Sequence, residues 1–200
     1  MSKMNSPLFL FHAAKEYFVN GTLYSAKYFK MDKDGSVKPF DAFIHAKLCV
    51  PATNISFSLE LILKAFLMQS GKRKWGHDLF ELYGLLDIEL KNKIVEHYGS
   101  HNTYKNYMTV RLIDKDGASH GKIEKFYATV KDSTFIPKML ETHKLAFLNY
   151  RYLNDFKGDQ EWQFDFREFS NFTFSALTIL GQTLGLNVVS TTLKDGDSLK

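Results

Sequence analysis

The chain has 200 residues, of which 44% are hydrophobic, and a formal net charge of +4. This length predicts one domain with its own core. The charge does not by itself define a nucleic-acid protein, which would need a clustered basic face. Cys49 is the single cysteine, which excludes internal disulfides and a cysteine-rich metal site and fits a reducing compartment.

The amino terminus leads into an aromatic helical pattern and not into a signal-peptide core. We judge the apolar runs shorter than the about 18 residues of a membrane span. The sequence therefore predicts a cytoplasmic protein that has no membrane segment. No residue pattern indicates a cofactor or a metal.

Helical patterns dominate the first half of the chain. One helix is predicted from residue 6 to about 30, and a loop follows over 30–39. Asp41 is placed to cap a helix over 42–50, and Pro51 predicts a kink or a short break. The next helix, 54–70, is apolar on most sides and should lie at the centre of the domain, with Gly71 as its left-handed end.

The second half continues the helical pattern with one irregular part. Asp78 and Glu81 have the spacing of a capping box for a helix that runs to about residue 86, and another short helix follows over 88–98. Residues 101–121 predict a long loop or a small hairpin. The remaining predicted elements are a helix over 122–130, a strong helix over 135–155, a short extended segment at 162–166 and a last helix ending near Gly185. The fold class is all-α, a bundle of about five to seven helices, with one domain over 1–186 and a polar tail over 187–200.

Two polar residues lie on strongly apolar helical patterns. Glu60 and Lys64 are four residues apart in the favourable orientation for local helix support, although either could instead face a pocket. Arg151 follows Phe147 by one turn and is predicted to be a buried or half-buried cation in need of a carboxylate. Glu60 is a candidate for that carboxylate. Both residues are thus interpreted first as structural.

The densest basic cluster is Lys72, Arg73 and Lys74, which Trp75 follows. A solvated turn is the simpler interpretation, and a phosphate or RNA contact is the sharper one. His77 could orient the turn or face a ligand. Asp78 is interpreted as a helix cap and not as a catalytic acid.

Two short patterns occur together in this chain. One is Glu60 and Lys64 on a buried helix, followed by Gly71 and by Gly76-His77-Asp78-Leu79. The other is Asn149-Tyr150-Arg151-Tyr152-Leu153 on a late aromatic helix. The arrangement resembles HEPN-like domains, helical nucleotide-binding or RNA-associated modules of prokaryotic defence and toxin–antitoxin systems.

The resemblance covers residues 42–154 and implies an up-and-down bundle, commonly a homodimer. Active members of that family are metal-independent ribonucleases that carry an Arg followed, after four to six residues, by a His. Three residues separate Arg73 from His77 here, and eight separate Arg111 from His120. Because this motif is missing, we expect a non-catalytic module that binds a nucleotide, RNA or a protein partner. The alternative is a divergent ribonuclease that uses His77 with Lys72, Arg73 or Arg151.

A homodimer is also expected from the aromatic content, since 18 Phe and 10 Tyr are more than a small bundle needs. The predicted contact surface comprises Phe147, Tyr150, Phe169 and Phe172.

Overall fold

The computed structural model describes residues 6–28, 42–100, 109–112, 135–151 and 162–186. Seven helices and two short strands lie in this part of the chain: α1 (Pro7–Tyr28), α2 (Ala42–Gln69), α3 (Leu79–Gly84), α4 (Ile88–Ser100), β1 (Thr109–Leu112), α5 (Phe135–Thr142), α6 (Ala146–Arg151), β2 (Trp162–Asp165) and α7 (Phe166–Thr183). The predicted all-α bundle is confirmed.

Helix α2 is the centre of the bundle and packs against α1, α3, α6 and α7. Its core positions are fully buried: Ile55, Leu59, Ile62, Leu63 and Leu67. The short break that was one alternative for Pro51 is wrong, because α2 runs without interruption from Ala42 to Gln69. Proline removes its own amide from the helical ladder and crowds the preceding turn, so the other alternative, a kink at the buried Pro51, stays a prediction.

The residues Cys49–Gln69 of α2 are long and apolar enough to cross a membrane by length and composition. This stretch is thus longer than the apolar runs expected from the sequence, and the absence of a membrane segment stays a prediction. Within the bundle, 67% of this stretch is buried, as it is in the core helix of a soluble protein.

Helices α1 and α2 run antiparallel at close range. Gly21 lies against Ile55, and a Cβ added to Gly21 would come within 2.7 Å of the Ile55 side chain. Nearer the start of α1, the Ser58 hydroxyl donates a hydrogen bond to the Ala14 carbonyl at 2.8 Å. Because Gly21 has no side chain, α1 can approach Ile55 of α2 this closely. The glycine therefore has a packing role.

The two predicted helix ends around the basic cluster are both confirmed. Gly71 has φ +74°, and the amide of Lys72 donates to the Leu67 carbonyl at 2.8 Å, which is the hydrogen bond of a Schellman end. At the start of α3, the Asp78 carboxylate accepts a hydrogen bond from the Glu81 amide at 2.9 Å. We call residues 71–77, between these two ends, the basic turn.

The single helix predicted over 135–155 is wrong, because a turn at 143–145 separates α5 from α6. The Lys144 carbonyl accepts a hydrogen bond from the Leu79 amide at 2.9 Å. This bond attaches the start of α3 to the turn and directs the carbonyl away from a helical partner. The turn that separates α5 from α6 is thus in contact with a segment distant in the sequence.

Strand β1 pairs antiparallel with β2, with Thr109 opposite Asp165 and Leu112 opposite Trp162. The extended segment at 162–166 was predicted, but its partner was not. Residues 109–112 pair with β2, and the alternatives of a long loop or a small hairpin at 101–121 stay predictions. The predictions for 30–39, 122–130 and 187–200, and for the rest of 101–121, lie outside the described residues.

The aromatic surface predicted for the homodimer is largely interior. Phe147, Phe169 and Phe172 are buried within one chain, and the side chain of Tyr150 lies outside the described part. The excess of aromatic rings fills this core, so it is no argument for a second copy at these positions.

Candidate functional site

A buried carboxylate lies at the centre of the candidate site. The Glu60 side chain is 1% exposed, among the apolar residues of α2. Its Oε1 atom accepts a hydrogen bond from Lys64 Nζ at 2.7 Å, one turn further along the helix. The Lys64 side chain is itself only 22% exposed. The predicted Glu60–Lys64 pair is therefore present, and it is mostly shielded from water.

The same carboxylate holds His77, which belongs to the basic turn. His77 Nδ1 lies 3.0 Å from both oxygens of Glu60. The His77 side chain is 43% exposed, so the pair spans the boundary between core and solvent. His77 lies 17 positions after Glu60 in the chain. The Schellman end at Gly71 and the Asp78 cap fix the two ends of the basic turn. His77 is thereby placed within hydrogen-bond distance of Glu60.

This pairing fixes how the His77 ring can act. When the ring is neutral, a proton on Nδ1 is shared with the carboxylate and Nε2 keeps its lone pair. When the ring is protonated, Nε2–H becomes a donor for an anion. In the described part of the chain, Nε2 has no hydrogen-bond partner. The ring can therefore accept a proton or bind a phosphate through that atom.

The Phe147 ring contacts both His77 and Arg151. The His77 and Phe147 ring centroids are 5.5 Å apart, and the Arg151 guanidinium lies 5.4 Å from the same Phe147 centroid. Phe57 stacks on Phe147 at 4.5 Å. Because Phe147 contacts both His77 and Arg151, it brings two of the predicted site residues together.

The prediction for Arg151 as a buried cation paired with Glu60 is wrong. Arg151 is exposed, and the hydrogen bonds of Glu60 go to Lys64 and His77. The guanidinium of Arg151 lies instead at the Phe147 ring, in the geometry of a cation–π contact. Arg151 thus lies at the surface and not in the core.

The three cations of the basic turn are not equivalent. Lys72 Nζ lies 3.1 Å from Asp87 Oδ1 and also donates to the Leu85 carbonyl, while Lys74 Nζ lies 2.6 Å from Glu81 Oε1. Both lysines therefore stabilise the turn against α3 and the start of α4. Arg73 is exposed and makes no ion pair with any residue that the structure describes. The phosphate-binding hypothesis for the turn thus depends mainly on Arg73 and His77.

Two further polar groups take part in the packing of the fold, and of these only the inward position of His143 was expected. His143 is buried against the Phe164 and Phe169 rings, and this burial lowers its pKa to about 4. The Tyr98 hydroxyl donates a hydrogen bond to Glu168 of α7. The apolar face predicted for residues 136–150 did include His143. Tyr98 and Glu168 are 70 positions apart, and no residue pattern in the sequence predicts that they meet.

No family model matches the chain, and no curated protein or solved structure is similar to it. In the described ranges, no group of three His, Cys, Asp or Glu side chains is arranged to hold a metal ion. The chemistry of the candidate site therefore depends on five side chains: Glu60, Lys64, His77, Arg73 and Arg151.

Proposed function

We propose that this chain is a HEPN-like binding module without chemistry of its own, which binds the phosphate groups of RNA or of a nucleotide. The observation that carries the proposal is the anchoring of His77 by a buried carboxylate, with Arg151 at the same Phe147 ring. A ring held in this way needs little reordering to meet a ligand, so less conformational entropy is lost on binding. We further propose that the module acts in the cytoplasm with a partner from a toxin–antitoxin or defence system.

The distribution of charge supports an anionic ligand at this site. Glu60 is the buried anion, and its charge is already balanced by Lys64. Arg73 and Arg151 are both exposed, and His77 adds a third donor between them in the chain. Arginine has a planar fork that binds phosphate oxygens in pairs, which suits a phosphate contact better than lysine does.

Fluorescence anisotropy with a labelled single-stranded RNA, over a range of salt concentrations, tests the proposal. Affinity should fall steeply as salt rises. Each lost phosphate contact should lower the slope of log K against log salt by about 0.7 for a single strand. We expect this decrease for Arg73→Ala and for Arg151→Ala. Lys93→Ala, an exposed cation on α4, is the matched control and should leave the slope unchanged.

Binding that is undetectable at low salt would contradict the RNA form of the proposal. Calorimetry with a nucleoside triphosphate then tests the nucleotide form. If Arg73→Ala and Arg151→Ala behave like Lys93→Ala in both measurements, the site is not where the ligand binds.

A divergent metal-independent ribonuclease is the second candidate function. The observation that favours it is the contact of His77 Nδ1 with both Glu60 oxygens, which leaves Nε2 as a base. In this reaction Nε2 takes the proton of a ribose 2′-hydroxyl, and the oxygen attacks the neighbouring phosphorus. The bond from phosphorus to the 5′-oxygen breaks, the imidazolium returns its proton to that oxygen, and a 2′,3′-cyclic phosphate remains. Arg151 or Arg73 would stabilise the added charge on the phosphorane.

Cleavage of RNA in the presence of a chelator distinguishes the two candidates. The ribonuclease hypothesis expects activity in the wild-type protein that falls by about 100-fold or more in His77→Ala, the range for loss of a general base. Glu60→Gln should leave the His77 ring in place but reduce the rate of RNA cleavage. The binding hypothesis expects no cleavage by any variant and a weaker RNA complex for His77→Ala.

A further inference from the structure

Trp75, on the basic turn, is the most exposed large apolar side chain of the described residues, with 86% of its surface in solvent. Among the residues that the structure describes, no aromatic ring or cation lies against its indole. An indole that is open to solvent can accept a nucleobase on its face, and such stacking tolerates any base sequence.

Ion pairs hold the backbone that carries this ring. Lys72 is paired with Asp87, and Lys74, the residue before Trp75, is paired with Glu81. The basic turn is thus attached to both α3 and the start of α4. Because the turn is held in this way, little of its conformational entropy remains to be lost when a ligand binds.

The space beside the ring is open. Gly76, between Trp75 and His77, has φ +118°, and a Cβ added to it would meet no atom within 4 Å. A planar base can therefore approach this side of the turn without displacing protein atoms.

The two groups proposed to bind phosphate lie on either side of Trp75 in the chain. Arg73 comes two residues before it and His77 two residues after it, and two residues of extended backbone span at most about 7 Å. This span is comparable to the reach from a nucleobase to its own phosphate. An apolar protein partner would cover the Arg73 guanidinium without a counter-charge, whereas the phosphates of RNA supply that charge.

We propose that Trp75 is the platform on which an unpaired nucleobase stacks, while Arg73 and His77 bind the neighbouring phosphates. The inference rests on the proposed function and names its ligand class, which is single-stranded RNA. The bases of a single strand are free to stack on a protein ring, but those of a duplex are stacked on one another. The site should therefore select single strands.

Fluorescence anisotropy with three labelled RNAs tests the proposal: a short oligoadenylate, a strand of the same length without bases, and a duplex. Trp75→Ala should weaken binding of the oligoadenylate by about 5- to 150-fold, the range for loss of one stacked base. Binding of the other two RNAs and the salt slope should stay unchanged. Arg73→Ala should instead weaken binding of all three RNAs and lower the slope.

The substitution itself should be tolerated, because Trp75 is exposed and its φ is not positive. Ile88→Ala is the matched control, since Ile88 is also strongly exposed but has no ring, and this variant should bind like the wild type. Trp75→Phe keeps an aromatic face and should recover more of the affinity than Trp75→Leu. In a Trp162→Phe background Trp75 is the single tryptophan, and the oligoadenylate should quench its fluorescence.

The inference and the proposed function fail in different ways. If Trp75→Ala binds the oligoadenylate like the wild type while Arg73→Ala still lowers the salt slope, the inference is overturned and the proposed function stands. Equal losses for the oligoadenylate and the strand without bases would also overturn the inference, since Trp75 would then only support the turn. Quenching by adenosine triphosphate but not by the oligoadenylate would overturn single-stranded RNA as the ligand class. A wild-type chain that binds none of these probes would overturn both.

Discussion

His77 and His143 show how two similar side chains acquire different chemistry in one fold. Both rings lie against phenylalanines, His77 beside Phe147 and His143 beside Phe164 and Phe169. His77 has a buried carboxylate at hydrogen-bond distance and is partly exposed. His143 is 5% exposed, and this burial disfavours the charged ring and lowers its pKa to about 4. The difference teaches that a histidine next to aromatic rings becomes a candidate site only when a polar partner and solvent are both in reach.

The largest effect is expected when Glu60 loses both partners. In Lys64→Met/His77→Phe, a carboxylate that is 1% exposed has no counter-charge, which should lower the free energy of unfolding by about 3–5 kcal/mol. Each single change leaves one partner, so the double loss should exceed the sum of the two. Urea denaturation at pH 7 measures this cycle.

Adding Glu60→Gln to the double variant should restore part of the stability, because a neutral amide needs no counter-charge. Lys93→Met controls for the loss of a surface lysine. Small, additive losses in the free energy of unfolding would contradict the role given to His77 as a partner of Glu60. They would show that the buried carboxylate does not depend on His77.

His143 should make the stability depend on pH. Its pKa is about 4 in the folded chain and about 6.5 when unfolded, so the unfolded chain binds the extra proton between these values. Stability should therefore fall by about 3 kcal/mol as the pH drops from about 6.5 to about 4. Denaturation at a series of pH values measures this loss.

His143→Leu should remove that part of the pH dependence, because no group at this position can then bind a proton in the unfolded chain. His12→Leu, on the exposed side of α1, controls for the loss of a histidine. An unchanged pH profile in His143→Leu would mean that another group is responsible.

The cap of α3 should have a smaller effect. Asp78→Ala leaves the Glu81 amide without its acceptor and should cost about 1 kcal/mol. Asp78→Asn keeps an acceptor at this position and should retain most of the stability. If the cap also positions His77, RNA affinity should fall in Asp78→Ala and recover in Asp78→Asn. Thermal unfolding and anisotropy on the same samples separate the two effects.

The smallest effect is expected for the surface pair Lys74–Glu81. Both side chains are more than one third exposed, so water screens their attraction and Lys74→Ala should cost less than about 1 kcal/mol. The same substitution should change the salt dependence of RNA binding less than Arg73→Ala does. A larger change for Lys74 would show that the lysine leaves Glu81 to bind the ligand.

The local sequence determined the helices and their ends well. The apolar positions of α2 recur at helical spacing, Gly71 permits the positive φ of the helix end, and Asp78 provides the acceptor that starts α3. Each of these features depends on residues within a few positions of one another. The helical class of the fold followed from them, and so did the buried position of Glu60 on the central helix.

The tertiary structure alone decided which of these elements meet. Glu60 bonds His77 and not Arg151, the Leu79 amide bonds the Lys144 carbonyl in the turn after α5, and β1 pairs with β2 across some 50 residues. Periodicity identifies the residues that share one face of a helix, but it does not identify the element that packs against that face. The candidate site is such a meeting of distant residues, so the sequence could supply its members but not their partners.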